Sequence, residues 1–562
     1  MSDRTGAEAI AALLREAGVR FAFGVAGGKL APLMRALMRA GIRYVGMRHE
    51  AAGAMAAAAV AQAGGGLAVA LGEMGPGALN LVAGAGGASA NRLPLLLVTT
   101  NQHRAACYPG RGMFMDLDTR AVFAPLVRFG AVLAEPARIP EILRRALAAA
   151  CGPSPGPVHL DIPQDVLVAR HSGADVSLPL PTPRPRPEAS AVERAAALLA
   201  AARRPLIVAG GGAAAARAEE ELRLLAERLS AAVLPTQMGV GLWPTTDPHF
   251  LGQGGIIGGE AVLAALAEAD VVLAVGTRVS SWLWDERGPL LRPPARLLRL
   301  DSDPAALADP PAEVALVGDA REGLADLLAA LADRRPQADP TWRAGLAERR
   351  RRYVARLRQE AARQESGAMH PAALSFALAE ALPDDALIAY DGGHTSFWSN
   401  DILPALAPRT RLHEPGMCQL GFGLPAAIAL KLLHPQRPVV NVTGDGAFGF
   451  TLAELDTARR EGFAVVNIVH NNGAWGVIAH GQRKAFGESF GADLSGSDYA
   501  AIARGFGCHA EVVERPEEVA PALRRALVSG LPAVLDCRVR FEPHPSMAAF
   551  AAMNRYAGPA AA

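Results

Sequence analysis

A chain of 562 residues exceeds what one hydrophobic core organises, and its length points to about three or four domains. With 51% hydrophobic and only 5% aromatic residues, it has the composition of close helix-on-sheet packing. The net charge of +1 offers no electrostatic reason for a nucleic-acid or membrane partner. The Arg349 to Arg352 and Arg184/Arg186 clusters read as a solvated helix face and a linker. Five scattered cysteines (Cys107, Cys151, Cys418, Cys508, Cys537), with no CxxC pair, argue against a disulfide framework and a zinc site. The N-terminus lacks a charged region followed by an apolar core, and no apolar stretch has the length of a membrane span. A cytoplasmic location is expected.

In chain order, the pattern predicts a helix from Ala7 to Ala17, a strand from Phe21 to Val25, a helix from Leu30, a strand from Ile42 to Met47, a helix from Glu50 and a strand from Leu67 to Leu71. This is doubly wound α/β material, assigned to a first domain over 1–170. The proline-rich run from Leu178 to Pro187 cannot form regular secondary structure and reads as an extended linker, 171–189. A central α/β domain over 190–335 includes the strand Pro205 to Ala209, the turn Gly210-Gly211-Gly212, the strand Val271 to Val275 and a helix from Arg321 to Leu331. The turn lacks the strict GxGxxG register, so tight strand-to-helix geometry explains it better than a nucleotide loop. A charged helix from Trp342 to Glu365 fills a second linker, 336–365. The last domain spans 366–540, and an Ala-, Pro- and Gly-rich tail spans 541–562. Such a tail reads as mobile or as a lid.

The last domain carries the sharpest motif. Gly444-Asp445-Gly446 is followed, after twenty-four intervening residues, by Asn471-Asn472. The strand from Pro438 to Val442, a helix from Phe450 to Glu461 and the strand from Ala464 to Val469 form a βαβ unit, so Asp445 and Asn472 emerge together at the carboxyl edge of a parallel sheet. A carboxylate and an amide oxygen suit Mg²⁺, and glycines beside them let backbone approach a diphosphate. In the first domain, Arg48-His49-Glu50 places an acid where a strand gives way to an Ala-rich helix, and Gly75-Pro76-Gly77 follows. Taken alone, Glu50 is a helix N-terminal acid stabilised by the dipole.

Together with Asp391-Gly392-Gly393 and Gly421-Phe422-Gly423-Leu424-Pro425, these motifs resemble the thiamine-diphosphate enzymes of the acetolactate synthase-like family over nearly the whole chain. The resemblance implies three doubly wound parallel-sheet domains, for pyrimidine binding, a central role and diphosphate binding. It implies thiamine diphosphate and Mg²⁺, and a homodimer at minimum, more often a homotetramer, because the two halves of one site come from different subunits. By resemblance, Glu50 bonds the cofactor's aminopyrimidine and promotes its imino form. Leu420 is the apolar support that bends the cofactor. Gly393, His394, Thr395, Gly444, Gly446 and Ala447 hold the diphosphate, with Pro76, Gln419, Trp475, Gly476 and Val477 bordering the cofactor. Asp445, the Asn472 side chain and the Ala474 carbonyl are the expected metal ligands.

The reaction is less determined. Pyruvate decarboxylase-like enzymes carry an adjacent His pair and a Glu six residues after the metal-binding Asn, where this chain has Ile478. Benzaldehyde lyase-like enzymes carry a His in the first glycine loop, where this chain has Lys29. Gly27-Gly28 and Phe114 look like acetolactate synthase, Asn471-Asn472-Gly473-Ala474-Trp475-Gly476 is closer to benzaldehyde lyase, and Ala447-Phe448-Gly449-Phe450 is similar to 2-hydroxyacyl-CoA lyases and oxalyl-CoA decarboxylases. These features favour a carboligase or lyase. Lys29, with His103, Arg104 and Arg111 nearby, suggests an anionic 2-oxo acid or acyl-CoA donor, against a bland reading in which Lys29 snorkels to solvent. Gln102 and Phe114 line the substrate side by resemblance. A 2-oxo acid decarboxylase, a 2-hydroxyacyl-CoA lyase or oxalyl-CoA decarboxylase-like enzyme, a flavin oxidase and a catalytically inactive homologue remain the alternatives. FAD, ADP or CoA in the central domain stays open.

Overall fold

The computed structural model describes residues 4–107, 112–171, 184–255, 257–280, 283–285, 288–289, 295–363 and 367–547. Arg111, the linker residues 178–183, Glu365 and the tail beyond Met547 lie outside the described residues.

Among the described residues the chain forms three wholly parallel sheets and one two-stranded antiparallel ribbon, Trp284–Asp285 with Gly288–Pro289. In the first, the strands lie in the order Arg43–Gly46, Phe21–Gly24, Val69–Gly72, Leu95–Asn101, Pro157–Pro163, Phe129–Val132. The last sheet runs Arg411–Leu412, Leu387–Tyr390, Val439–Gly444, Val466–Asn471, Ala533–Arg538, His509–Val513. Numbered along their own segments, both read 2-1-3-4-6-5, so the N- and C-terminal domains are topological copies. The central sheet runs Val314–Val317, Arg296–Asp301, Val271–Val275, Pro205–Ala209, Ala232–Pro235, or 5-4-3-1-2. In each sheet strands 1 and 3 are neighbours, with strand 2 on the far side of strand 1. Ligands of such folds gather where the order reverses, outside the carboxyl ends of the strands.

The Ala-rich composition is explained by the helices between the outer sheets. Glu50–Gln62 is buried around nearly its whole circumference, as an all-apolar helix must be. It packs on Pro76–Ala90 and on Gly423–Leu433 of the C-terminal domain. A Cβ at Gly84 would lie 2.4 Å from the Ala54 Cβ, so these helices approach closer than larger side chains permit. One apolar cluster runs from Met47 and Ala51 through Leu81 to Leu424 and Ile428, making the two domains share a core.

Two expectations are corrected. The segment predicted as one helix from Phe450 to Glu461 is two, Asp445–Thr451 and Glu454–Glu461, the first beginning at Asp445 itself. The start of the tail is docked rather than mobile: His544 Nε2 lies 3.2 Å from Asp401, a carboxylate also bonded by Arg350 and Tyr353. Met547 is buried in the apolar cluster of the central domain. Among the described residues no helix is long and apolar enough to cross a membrane.

Candidate active site

Loops from three neighbouring strands converge in the C-terminal domain. After Leu387–Tyr390, Gly392 adopts φ +85° and Gly393–Ile402 begins, bringing His394 and Thr395 forward. After Val439–Gly444 comes the helix opened by Asp445, and after Val466–Asn471 come Asn472, Ala474 and the helix Gly476–Phe486. The backbones are tightly fitted. A Cβ at Gly393 would meet Val477 at 2.3 Å, one at Gly446 the Trp475 ring at 2.4 Å, and one at Gly476 the His394 ring at 2.6 Å. A Cβ at Gly444 would lie 3.2 Å from the Thr395 hydroxyl oxygen, and one at Gly392 3.4 Å from the Ala447 Cβ. The residues assigned to the diphosphate therefore do come together, and three of the glycines are required for the fit.

Asp445 is buried, and burial raises its carboxyl above the ordinary range against the backbone N–H groups that face it. Gly446 N donates to Oδ1 at 2.8 Å and Gly473 N to Oδ2 at 2.7 Å. Tyr499, which the sequence reading missed, donates its hydroxyl to the Asp445 carbonyl at 3.0 Å. The Asn472 Oδ1 accepts from Ala474 N at 3.0 Å, pinning that turn. Carboxylate, amide oxygen and carbonyl form a hard-oxygen donor set of the kind Mg²⁺ takes when it shares its shell with phosphate. His394 is buried with its ring against Gly476, and its Nε2 has no hydrogen-bond partner among the described residues. These features fit a metal diphosphate.

The N-terminal domain gathers the other predicted residues. Glu50 is 8% exposed at the first position of its helix, and Asn80 donates to its Oε2 at 2.9 Å. Pro76 opens the next helix after Gly75, whose φ is +68°. Glu73, missed from the sequence, connects this corner to the glycine loop: its carboxylate accepts from Lys29 N at 3.1 Å and Leu30 N at 3.3 Å. A Cβ on Gly77 would lie 3.0 Å from Glu50 Oε1 and 3.3 Å from Glu73 Cβ, so the two acids are neighbours. Lys29 is half-buried and its ammonium makes no ion pair described here. Arg104, expected as its cationic company, is instead committed to Asp165 at 2.7 Å. Gln102 is buried and donates to the Phe114 carbonyl at 2.6 Å, while the Phe114 ring is exposed.

Gln419 and Leu420 lie half-buried in the C-terminal domain, between the strand Arg411–Leu412 and the helix Gly423–Leu433. Gln419 N donates to Glu414 at 2.7 Å, and its buried Oε1, without a partner, faces Gly87. Ile478 is 44% exposed just beyond the cradle. In the central domain, Gly210 and Gly212 press on Gly276, which accounts for the glycine turn by packing. The buried side-chain amides of Gln237 and Gln253 have no partner among the described residues.

Burial holds the imidazoles of His159, His394 and His470 down at about 3, from an ordinary 6.5. It also lifts Asp161 and Asp391 to about 6 from 3.8. As pH falls below 6.5, the unfolded chain protonates those histidines before the folded one does, and stability is lost through the window down to about 3. The raised carboxyls act oppositely, the folded state keeping protons that the unfolded state sheds above 3.8. Burial lowers His413 to about 3 and His370 to about 4 as well, and together the histidine shifts outweigh the two carboxyl ones. The urea midpoint of the cofactor-free protein is therefore expected to be lower at pH 5 than at pH 7.5, and an equal or higher midpoint contradicts this.

The comparisons agree with this geometry. Thiamine pyrophosphate enzyme domains match at 4–122 (N-terminal TPP binding), 192–327 (central) and 391–537 (C-terminal TPP binding). The chain is 37% identical to a probable 2-ketoarginine decarboxylase of Pseudomonas aeruginosa, over 94% of this chain and 92% of that protein. It is 32% identical to a probable acetolactate synthase large subunit of Methanocaldococcus jannaschii, over 94% and 91%. A sulfoacetaldehyde acetyltransferase of Castellaniella defragrans is 30% identical over 94% and 91%. The matches along the chain show that this protein belongs to the thiamine pyrophosphate enzymes, as a transferase or lyase of their acetolactate synthase-like group.

Proposed function

We propose that the protein is a thiamine-diphosphate- and Mg²⁺-dependent carboligase or lyase that makes or breaks a C–C bond next to a carbonyl, with an anionic 2-oxo acid or 2-hydroxyacyl donor. When bound, the cofactor supplies a nucleophilic thiazolium carbon and an electron sink. Asp445, Asn472 and the Ala474 carbonyl would hold the metal, Gly393 to Thr395 and Gly444 to Ala447 the diphosphate, and Glu50 would face the pyrimidine. Asn80 fixes the Glu50 carboxylate, and burial excludes water from it. Leu420 would support the cofactor between its two rings.

The observation that carries the donor class is the Lys29–Glu73–Glu50 arrangement. Glu73 ties the Lys29 backbone to the corner where Glu50 sits, and the Lys29 ammonium makes no ion pair among the described residues. It can meet a substrate carboxylate. Replacing Lys29 by Met is expected to raise KM for a 2-oxo acid about tenfold or more, with a smaller change in kcat, because uniform binding is lost. An unchanged KM removes the anionic-donor reading. Incubation with pyruvate, glyoxylate, aromatic 2-oxo acids, aldehydes and acyl-CoA thioesters, followed by mass spectrometry of the products, tests the reaction itself. A ligated product supports this function, and CO₂ with a free aldehyde favours the second reading.

That second reading, a 2-oxo acid decarboxylase, is favoured by the decarboxylase name of the 37% identical relative. Apolar Ile478, placed beside the cradle, speaks against it, since it cannot deliver the proton that aldehyde release requires. The functional unit is proposed to be a homodimer or tetramer of such dimers. Apolar side chains stand exposed around both halves of the site, Phe114 on one domain and Met417, Phe450 and Ile478 on the other. A second copy would cover them.

A further inference from the structure

Glu454 belongs to the C-terminal domain but is spent on the N-terminal one. Its side chain is 1% exposed, and its carboxylate accepts from Arg48 N at 3.1 Å and from His49 N at 3.1 Å, in the turn that delivers Glu50. Thr457 donates its hydroxyl to Glu454 Oε2 at 2.6 Å. His49 in turn caps the Glu50 helix, its Nδ1 accepting from Ala51 N at 3.1 Å. The same short helix, Glu454–Glu461, holds the turn from outside, with Arg460 donating to the Gly46 carbonyl at 2.6 Å and Asp456 paired with Arg48 at 3.6 Å.

We propose that Glu454 is a positioning residue for Glu50: its carboxylate gathers two consecutive backbone N–H groups and thereby sets where the Glu50 helix begins. This rests on the assignment of Glu50 as the pyrimidine-facing acid. Charge-assisted bonds of this kind are shorter and stronger than neutral ones, and buried N–H groups left without an acceptor are costly. The Glu454 helix starts three residues after the helix that Asp445 opens ends. A chain's own diphosphate loop is therefore joined rigidly to its own Glu50 turn. Where the two halves of one cofactor site come from different chains, that join runs from one site to the other.

The test is Glu454→Gln, which keeps the shape but replaces one acceptor oxygen with a donor. Hydrogen–deuterium exchange at the Arg48 and His49 amides is expected to accelerate, and kcat to fall about 10- to 100-fold, as small misplacements of a reacting group do. Donor KM and the thiamine diphosphate Kd, read by tryptophan fluorescence, should stay within about threefold, since neither binding group has moved. Unchanged exchange at Arg48 and His49, or an unchanged kcat, overturns the proposal. So does faster exchange spread evenly over the N-terminal domain with a lowered Tm, the mark of a purely structural residue. If Glu454→Gln does not fold, Thr457→Val must show the same two local changes at smaller size, and their absence also overturns the proposal. Glu50→Gln measured alongside separates the failures. Retained turnover there removes the assignment of Glu50, whereas a silent Glu454→Gln beside a dead Glu50→Gln removes only the positioning role.

Discussion

Glu50→Gln is expected to lower kcat about 10²- to 10⁴-fold, the range that general acid–base groups contribute, with cofactor and metal binding nearly unchanged. Glutamine preserves the volume of the side chain and an oxygen that can accept from Asn80, a bond of 2.9 Å in the native protein. It removes the charge. A group that draws the pyrimidine towards its imino form must exchange a proton with it, and an amide cannot. Steady-state kcat and a fluorescence titration with thiamine diphosphate at fixed Mg²⁺ read the two effects separately. An unchanged kcat would sink the role given to Glu50.

The second large effect is expected at Asp445. Asp445→Asn should weaken Mg²⁺-dependent cofactor loading about 100-fold or more, above the 10- to 100-fold typical of residues that merely orient a metal ligand. Both carboxylate oxygens already accept backbone N–H groups, at 2.8 and 2.7 Å. An asparagine must turn its NH₂ towards one of them, so the turn is disturbed along with the lost charge. Because burial raises this carboxyl, protons compete with the metal at higher pH than at an ordinary aspartate. Native loading should therefore weaken as pH falls. Isothermal titration with Mg²⁺ and thiamine diphosphate, on protein whose circular dichroism matches the native form, measures this, and native affinity in the variant would contradict the metal assignment.

Much of this was legible because the chemistry is written locally. Asp445 and Asn472 sit one residue past strand ends, and any parallel βαβ unit carries such positions to one edge. The glycines at 393, 444, 446 and 476 sit among them because three loops meet with little space between. The helix starting at Asp445 was not legible, since Gly446 and Gly449 lower helix propensity and read as a turn. Glu454 was hidden for a different reason. It stands in a run with Asp456, Arg459, Arg460 and Glu461 that looks like a solvated face, and its burial comes from a turn 406 residues earlier in the chain. No local pattern encodes that contact. Asn80 and Glu73 are similar cases, ordinary polar residues whose meaning depends on which side chain the fold sets beside them. Arg104 shows the converse: expected in the pocket as company for Lys29, it is committed by the tertiary structure to Asp165.

The proposed dimer would build one site from the Glu50 half of one chain and the Asp445 half of another. Unfolding, mixing and refolding Glu50→Gln with Asp445→Asn chains tests it most directly, each being inactive alone. Random pairing makes half the dimers mixed, and each mixed dimer has one site with both halves intact, so about a quarter of native turnover should return. No recovered activity, with mixed dimers shown to have formed, would contradict the shared site.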